Sequence, residues 1–372
     1  MIRIAKNKAC TVTEAEVFVL RAPLSSPFRI ATGQHDFLEN VFLRLHLSDG
    51  IAGCGEAAVA THITGETVPQ TVISLKKVAA KLLGCDISTP LVTGMEFRSY
   101  FRGNHAGLAA FEMALLDAYS RSQGMPFWRL FTPQTAPDQP VLKTDVTIVL
   151  GSLEEAAEAT QRYAGRGFQT FKVKLGRDEE LDFRRVLEIR RLAPEVEIVL
   201  DANQAFTAEG ALRFVKRLVE AGVHPALVEQ PVPKKDWDGL KQVTRSLGEM
   251  GILVCADESV GSLEEAAHAV RTGSVSAINI KFMKSGILES VEIARLARSA
   301  GVQLMIGAMM ESALSITAAA HFAGALGCFS FIDIDTTYFI QGELACSPCL
   351  DGGGRFDLSG TGPGIGVQFA AG

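Results

Sequence analysis

Long apolar runs are missing from this sequence, and no stretch reaches the roughly 20 residues that a membrane-spanning helix needs. The first twenty residues carry basic side chains but no continuous apolar core, so we expect no secretory signal, no membrane partner and a cytoplasmic location. An excess of basic charge is also missing. The 36 basic and 42 acidic residues give a net charge of −6, which argues against nucleic acid as the main partner.

Proline, cysteine and histidine are scarce. Fourteen prolines beside 35 glycines favour a globular chain with many tight turns. Seven cysteines at irregular spacing suit a reducing compartment. Cys346 and Cys349 form a single CxxC pair, for which a loop with two buried thiols is a simpler interpretation than a zinc or redox site. We expect the histidines at 105, 224 and 321 to pack or to cap helices rather than to catalyse.

The pattern of the chain changes after its first third. Residues 13–59 read as strands and turns, with "SDG" at 48–50 as a hairpin turn, and residues 66–121 read as helices. The Pro-bearing stretch at 132–140 is typical of a linker. We therefore predict an α+β domain over residues 1–135.

Beyond the linker, apolar β-branched runs alternate with amphipathic helical runs. Eight strand candidates follow one another: "TDVTIVL", "QTFKVKLG", "VEIVLDANQ", "ALVEQP", "ILVCADES", "AINIKFMK", "VQLMIGAMMES" and "FSFIDIDT". Steps of 27, 28, 28, 24, 26 and 26 residues separate marker positions late in successive runs: Lys174, Asp201, Glu229, Asp257, Lys281, Gly307 and Asp333. This period predicts a (β/α)8, TIM-like barrel over residues 136–340. A doubly wound open sheet is the alternative, but it would not bring every strand end to one mouth.

Three carboxylates, those of Asp201, Glu229 and Asp257, end three consecutive strands. In a barrel they would converge, and converging carboxylates need either raised pKa values or a cation. An all-oxygen set without His or Cys favours Mg²⁺ or Mn²⁺ over zinc. Separate helix caps are the alternative interpretation, which three successive strands make improbable.

Two lysines flank this set, Lys174 one strand before it and Lys281 one strand after it. Lys172 shares a strand face with Lys174. Crowded ammonium groups that are partly removed from water have depressed pKa values, so Lys174 could act as a base near neutral pH. The alternative is that Lys172 and Lys174 only neutralise the acids. With a carboxylate substrate on the cation, one lysine would remove the α-proton to give an enediolate and the other would return a proton on the opposite face.

In these acids and lysines, the chain resembles the muconate-lactonising subgroup of the enolase superfamily. This superfamily is known for a Lys or His base beside Mg²⁺. The motifs that carry the likeness are "GCGEA", "DVTI", "FKVKLG", "DANQAF", "EQPV", "ADES", "NIKFMKSG", "GAMMES" and "PGIGV". The resemblance implies a (β/α)8-type barrel with an α+β capping domain, to which residues 341–372 return. It also implies that Asp201, Glu229 and Asp257 are the metal ligands and that Lys174 and Lys281 are the acid/base pair.

The Asp-x-Asp of "FIDIDT" is similar to the signature of the dipeptide epimerases, in which it receives the free α-ammonium of the substrate. Asp333 and Asp335 share a face, so both could bind one cation; a solvated loop or helix cap is the alternative. The resemblance also implies that cap residues 26–34 and 61–67 close over the dipeptide side chains. Gly33 stands where epimerases for Ala-Glu carry an arginine, and Arg29 is out of register, which argues against acidic specificity.

Several further residues are predicted to lie at the site. Candidate substrate-binding residues are Lys172, Asp333, Asp335, Glu311, Ser312, Thr144 and Asn203, and Glu311 and Ser312 could equally be structural. The carboxylate of Glu258 is expected to point away from Asp257 and to hold a neighbouring lysine or backbone group.

The predicted function is Mg²⁺-dependent epimerisation of a dipeptide at the α-carbon of its C-terminal residue. Within the superfamily, an N-acylamino acid racemase, an o-succinylbenzoate synthase or a cycloisomerase remains open, although an acylated nitrogen would leave the Asp333/Asp335 pair without a charge to bind. A Schiff-base aldolase and a non-catalytic binding barrel are the alternatives from other classes. The expected partner is a small molecule, and homo-oligomers are left open.

Overall fold

The computed structural model describes residues 10–31, 33–132, 140–176, 178–342 and 345–369. The predicted linker lies outside these ranges except for its first and last residues, and so does the predicted domain boundary at residue 135. In the described ranges, no helix is both long and apolar enough to cross a membrane.

A three-stranded antiparallel sheet with the strand order β1-β2-β3 begins the chain, from β1 (Val12–Ile30), β2 (Gly33–Leu47) and β3 (Ala52–Ala57). The hairpin turn predicted at 48–50 is confirmed, because Gly50 has a φ of 81° and β2 and β3 pair antiparallel on either side of it. Helices cover this sheet: α1 (Thr61–Thr64), α2 (Val68–Leu82), α3 (Pro90–Phe97) and α4 (His105–Ser122). We call these elements the cap.

All eight strands predicted for the barrel are present. They are β5 (Val146–Ile148), β6 (Thr170–Lys174), β7 (Glu197–Asp201), β8 (Leu227–Glu229), β9 (Leu253–Ala256), β10 (Ala277–Ile280), β11 (Gln303–Gly307) and β12 (Phe331–Asp333). Neighbours in the chain are neighbours in the sheet, and all pairs are parallel. The N–H of Asp145 donates to the carbonyl of Ile332 at 2.8 Å and links the first strand to the last. The barrel is confirmed, and the open doubly wound sheet was the wrong alternative.

Helices connect the strands on the outside of the barrel. They are α5 (Leu153–Gly165), α6 (Glu179–Leu192), α7 (Ala208–Glu220), α8 (Trp237–Gly248), α9 (Leu263–Thr272), α10 (Phe282–Ser299) and α11 (Ala313–Leu326). Ser, Thr or Asp side chains cap six of them by accepting a backbone N–H of the first turn, which satisfies a donor that the helix itself leaves free. The exception is α10, which follows Lys281, and this lysine side chain makes no capping bond.

The inside of the barrel is divided between an apolar layer and a charged layer. A small cluster of buried apolar side chains fills the interior: Val199, Leu227, Cys255, Ala277 and Met305. On β6, Phe171 and Val173 pack in the main hydrophobic core, while Lys172 and Lys174 alternate with them and are also buried. The two lysines of "FKVK" therefore lie on the opposite strand face from the core, toward the mouth of the barrel.

The C-terminal segment contacts the cap. It contains β13 (Ala345–Cys346), β14 (Arg355–Asp357), which pairs with β4 (Val141–Lys143), and β15 (Gln368–Phe369). The N–H of Ile365 donates to Asp117 on α4 at 2.7 Å. Of the CxxC pair, Cys349 is buried, whereas the side chain of Cys346 lies outside the described part.

The contact between β3 and α4 predicts the effect of adding one methyl group. A Cβ on Gly55 would collide with the backbone carbonyl of Ala110 on α4, so we expect Gly55→Ala to lower the free energy of unfolding by about 3 kcal/mol. At Gly165, at the end of α5, an added methyl would have no neighbouring atom within 4 Å, and Gly165→Ala should change stability by less than about 1 kcal/mol. Urea unfolding followed by circular dichroism measures both; equal effects would contradict the close approach.

Candidate active site

A cavity opens at the carboxyl ends of the barrel strands, under the cap. Its polar wall contains seven residues that the sequence predicts to be functional: Lys172, Lys174, Asn203, Asp257, Lys281, Asp333 and Asp335. Lys172 and Asp333 are 161 positions apart in the chain, yet their side chains are in contact. The parallel barrel brings these residues together because all its strands end at one mouth.

Lys174 and Lys281 face each other across this cavity. Lys174 ends β6 and Lys281 follows β10, so the two lie four strands apart in a barrel of eight, on opposite sides of the mouth. Both side chains are buried and both line the cavity. This arrangement places one amine on each face of any molecule bound between them.

Asp201 is the carboxylate nearest to Lys174. The Nζ of Lys174 lies 2.5 Å from Oδ2 of Asp201, and the N–H of Asn203 donates to Oδ1 at 3.0 Å. Burial by itself would raise the pKa of the Asp201 carboxyl, but the ammonium groups of Lys172 and Lys174 outweigh it and lower the pKa to about 2.

Glu229 lies on the next strand, opposite Asp201 in the β7–β8 register. Its Oε2 lies 2.7 Å from the Nζ of Lys172, and its Oε1 accepts a hydrogen bond from the Nδ2 of Asn279 at 2.6 Å. Complete burial and the nearby Asp201 raise the pKa of Glu229, which is the behaviour expected where acids crowd together.

Asp257 is held between two lysines. The Nζ of Lys281 lies 2.8 Å from Oδ2, and the Nζ of Lys284 lies 2.8 Å from Oδ1. Although Asp257 is buried, these two ammonium groups hold its pKa far below the usual range. The side-chain oxygen of Gln230 accepts from the N–H groups of Asp257 and Ser259. These two bonds fix the backbone on both sides of Glu258.

Lys172, which lines the cavity, lies among the acids. Its Nζ lies 3.1 Å from Asp201, 2.7 Å from Glu229 and 2.6 Å from Asp333. Burial disfavours its charged form, but the surrounding carboxylates outweigh burial and raise its pKa, and the same balance raises the pKa of Lys281. The expectation of a depressed pKa was therefore wrong for Lys172, because this lysine is surrounded by acids.

The chemistry of the donor set fits a divalent cation. Asp201, Glu229 and Asp257 are almost fully buried on consecutive strands, and all their side-chain donors are hard oxygens. Over the described ranges, no three Asp, Glu, His or Cys side chains surround one point; instead each carboxylate contacts an ammonium group. Since the ammonium of Lys172 already contacts both Asp201 and Glu229, the space between these two acids accommodates positive charge.

Asp333 and Asp335 line the cavity beside Lys172. Asp335 accepts a hydrogen bond from the N–H of Thr147 at 2.6 Å, while Asp333 contacts the ammonium of Lys172. Burial, with the charge of Asp333 as the next cause, raises the pKa of Asp335 to about 6. Two acids that share one cavity wall form a site with affinity for a cationic group.

Other predicted residues lie beside the cavity rather than on its wall. Thr144 accepts from the N–H of Ile334 at 3.0 Å and so helps to join the first and last strands. The N–H and hydroxyl of Ser312 donate to Glu56 of the cap, and Glu311 accepts from the N–H of Met309 at 2.7 Å.

Among the described residues, Glu258 does not bond a lysine or a backbone group, contrary to the expectation. The Nδ2 of Asn203 lies 3.5 Å from its Oε1, while its Oε2 is buried without a hydrogen-bond partner in the described part of the chain. Burial, together with the charge of Asp257, raises the pKa of Glu258 to about 7. Among the histidines, His321 packs in the core, where burial lowers its pKa to about 3.

The sequence interpretation missed several residues of the charged layer. Lys284, Asn279 and Gln230 each bond one of the three metal-ligand candidates or its backbone, and Asp145 is a buried acid whose Oδ1 lacks a hydrogen-bond partner among the described residues. All four stand inside motifs already quoted, "NIKFMKSG", "EQPV" and "DVTI". For Asn279, Gln230 and Asp145, which stand in or beside barrel strands, the signal was an excess of polar side chains on strands that are buried on both faces. Lys284 lies on α10 and carried no such signal.

The remaining wall of the cavity is apolar. It is formed by cap and barrel side chains, with His35 at its edge: Phe28, Ile30, Ala60, Ile63, Ala308, Met309 and Met310. Arg29 is turned away, as strand alternation predicts, and its guanidinium lies 3.5 Å from Glu155. The cavity thus combines a charged wall with an apolar wall. Gly33 occupies the position where an arginine was considered, and the nearby Arg29 does not line the cavity.

Two family models match the chain. "Mandelate racemase / muconate lactonizing enzyme, N-terminal domain" matches residues 13–132, and "Enolase C-terminal domain-like" matches residues 154–371. Among curated proteins, the "Hydrophobic dipeptide epimerase" of Citrifermentans bemidjiense is 58% identical over 358 residues, which is 96% of this chain and 97% of that protein.

Solved structures agree with this similarity over the whole length. A substrate-liganded complex of the L-Ala-D/L-Glu epimerase from Bacillus subtilis has a TM-score of 0.91 at 32% identity, covering 97% of this chain and 99% of that one. The dipeptide epimerase from Enterococcus faecalis complexed with Mg and L-Leu-L-Tyr has a TM-score of 0.88 at 28% identity, covering 96% and 99%. The resemblance read from the sequence motifs is confirmed.

The contacts of Lys284 predict a large effect of its removal. Its ammonium donates to Oδ1 of Asp257 and to the carbonyls of Asp257 and Asn279, at 2.7 to 2.8 Å. Lys284→Met leaves these buried oxygens without a donor, so we expect the free energy of unfolding to fall by about 3–5 kcal/mol. Lys241→Met, on the exposed face of α8, is the matched control and should have little effect. Urea unfolding measures the free energy of unfolding of both variants. A Lys284→Met protein as stable as the wild type would contradict the assigned contacts.

Proposed function

The chain belongs to the mandelate racemase/muconate lactonizing enzyme family of the enolase superfamily, and from this premise we propose that it epimerises dipeptides with apolar side chains. The relatives described above are dipeptide epimerases, which are isomerases. The reaction is inversion at the α-carbon of the C-terminal residue: one proton is removed from one face of this carbon, and another is delivered to the opposite face. The observation that carries the proposal is the pair of lysines, Lys174 and Lys281, on opposite sides of one cavity.

Asp201, Glu229 and Asp257 are the residues that would hold a divalent cation, Mg²⁺ or Mn²⁺. Relatives from three organisms have been solved in complex with Mg and a dipeptide. When bound, the cation supplies affinity for the substrate carboxylate and stabilises the negative charge that develops there, which acidifies the α-proton. Asn279, Lys284 and Gln230 hold these carboxylates and their backbone in place through the hydrogen bonds described above.

The two lysines divide the proton transfer between them. One lysine, in its neutral form, removes the α-proton from its own face of the substrate, and the other, in its charged form, delivers a proton to the opposite face. The reverse reaction exchanges the two roles. Their position four strands apart supports this division, because a single base cannot reach both faces of the α-carbon.

Asp333 and Asp335 are suited to bind the free α-ammonium of a dipeptide. Both line the cavity, and burial of two acids side by side favours a cationic guest. The ammonium of Lys172 contacts Asp201, Glu229 and Asp333 and so balances part of their negative charge. An acylated nitrogen has no positive charge and would leave the pair without its partner.

The apolar wall supports a preference for apolar side chains. Phe28, Ile30, Ile63, Met309 and Met310 would contact them, and burial of each such side chain contributes about 1.5–3 kcal/mol. An acidic side chain placed against the same wall would lose its hydration without gaining a cation, since Arg29 faces Glu155 on the other side. A preference for acidic dipeptides is therefore not expected, because Gly33 provides no side chain to bind a carboxylate and Arg29 points elsewhere.

Uptake of deuterium at the α-carbon, followed by mass spectrometry in deuterated water, tests the proposal. We expect L-Leu-L-Leu to be labelled and epimerised. N-acetyl-L-Leu-L-Leu should be slower by about a hundredfold, the effect of losing a buried charge pair. L-Ala-L-Glu should also be slower by about a hundredfold, because its acidic side chain loses hydration against the apolar wall. The reaction should stop with a chelator, resume with Mg²⁺ and be insensitive to borohydride. The acetylated peptide is the matched control for the α-ammonium. Equal rates for the free and acetylated forms would overturn the role of Asp333 and Asp335, and borohydride inactivation would favour a Schiff-base enzyme.

A further inference from the structure

The apolar wall of the cavity is attached to the cap through a buried carboxylate that takes no part in the chemistry above. This carboxylate belongs to Glu56, which lies on β3 within "GCGEA" and is completely buried. Glu56 does not line the cavity. Its hydrogen bonds connect it to Asn40 of the cap and to the segment at the start of α11.

The contacts of Glu56 hold the end of the loop between β11 and α11. Its Oε1 accepts from the N–H of Ser312 at 2.8 Å, and its Oε2 accepts from the hydroxyl of Ser312 at 2.6 Å and from the N–H of Ser315 at 3.2 Å. Ser312 is also the residue that caps α11. The position of the helix start is therefore fixed by a side chain of the cap.

Asn40 of β2 extends the same network to the wall itself. Its Nδ2 donates to Oε1 of Glu56 at 2.7 Å and to the carbonyl of Met310 at 2.9 Å. Together, Asn40 and Glu56 bind the backbone immediately before and after Glu311, whose own carboxylate accepts from the N–H of Met309. The short segment Met309–Ser312 is thus anchored residue by residue.

Met309 and Met310 present their side chains to the cavity from this anchored segment. Methionine side chains are unbranched and adaptable, so their reach into a cavity depends on where the backbone is held. The opposite, cap side of the same wall includes His35, which lies on β2 as Asn40 does. The strand β2 therefore contributes His35 to the cap side of the wall and, through Asn40, holds the backbone of Met310 on the other side.

We propose that Glu56 is a positioning residue that sets the selectivity for large apolar side chains, by fixing Met309 and Met310 against the cap. The inference rests on the proposed function, since selectivity is read from dipeptide turnover. Glu56→Gln keeps the size of the side chain but replaces one acceptor oxygen by an NH2 group. Whichever way the amide turns, a donor then faces the N–H of Ser312 or of Ser315.

Glu112 offers a matched control. It is likewise a fully buried cap carboxylate that accepts from barrel backbone, from the N–H groups of Ile287 and Leu288 at 2.6 and 2.9 Å, but it lies away from the cavity. Glu112→Gln therefore imposes the same chemical change on another contact between cap and barrel. Because both N–H groups donate to Oε2 of Glu112, the amide oxygen of Gln can keep both bonds, and this variant controls for the loss of a buried cap charge. General destabilisation is controlled separately, by measuring each protein below its melting temperature.

The experiment compares α-deuterium uptake with L-Leu-L-Leu and L-Ala-L-Ala for wild type, Glu56→Gln and Glu112→Gln, below the melting temperature of each protein. For Glu56→Gln we expect the ratio of kcat/KM for L-Leu-L-Leu over L-Ala-L-Ala to fall about tenfold. The fall should come from a higher KM for L-Leu-L-Leu. Its size is that of losing one buried hydrogen bond to a charged group. Glu112→Gln should keep the wild-type ratio. Should Glu56→Gln fail to fold, Asn40→Ala, which removes only the donor to Met310 and Glu56, is measured in its place with the same expectation.

The possible results are distinct. An unchanged ratio in Glu56→Gln, or an equal fall in both variants, overturns the positioning role while leaving the proposed function intact. Absence of label uptake by the wild type with either dipeptide overturns the proposed function, and the inference with it. A fall in the ratio confined to Glu56→Gln supports the inference.

Discussion

Opposite charges buried together at one end of the barrel are the constraint on which the rest of the structure depends. Lys172, Lys174 and Lys281 are withdrawn from water beside Asp201, Glu229 and Asp257, and each lysine lies within 3.1 Å of a carboxylate. Charges at such depth are tolerated only when they are paired and hydrogen-bonded. The parallel barrel makes the pairing possible, because it ends all strands at one mouth. The same pairing lowers the stability that burial of apolar side chains alone would give, and it gathers acids and amines in one small volume.

The cap completes the cavity that the barrel begins. The barrel contributes the charged wall, whereas Phe28, Ile30 and Ile63 of the cap contribute much of the apolar wall. Buried carboxylates of the cap, Glu56 and Glu112, accept hydrogen bonds from barrel backbone and so join the two parts through specific polar contacts. In the proposed function, chemistry and selectivity are thereby separated: the strand ends would hold the reacting groups, and the cap and the loop after β11 would shape the space for the substrate side chains.

Much of the fold could be predicted from the sequence, because each barrel strand repeats the same local signal at a step of 24 to 28 residues. The acids and lysines at the strand ends could be singled out for the same reason, and the structure gathers their elements at one mouth. Their partners could not be predicted. Lys284 lies on a helix, and its contact with Asp257 depends on where α10 begins; Glu56 meets Ser312 across 256 residues. The pKa of Lys172 was misjudged because local sequence shows the neighbouring lysine but not the acids that surround Lys172.

The opposed placement of Lys174 and Lys281 is the central claim, and α-proton exchange in single variants tests it most directly. The L,L and L,D epimers of one apolar dipeptide are incubated in deuterated water with Lys174→Ala and with Lys281→Ala. Each variant should lose interconversion by about a hundredfold or more, yet still exchange the α-proton of the one epimer that faces its remaining lysine. The epimer that exchanges should differ between the two variants. If both variants exchange the same epimer, or if either still interconverts the two at the wild-type rate, the two-base account is wrong.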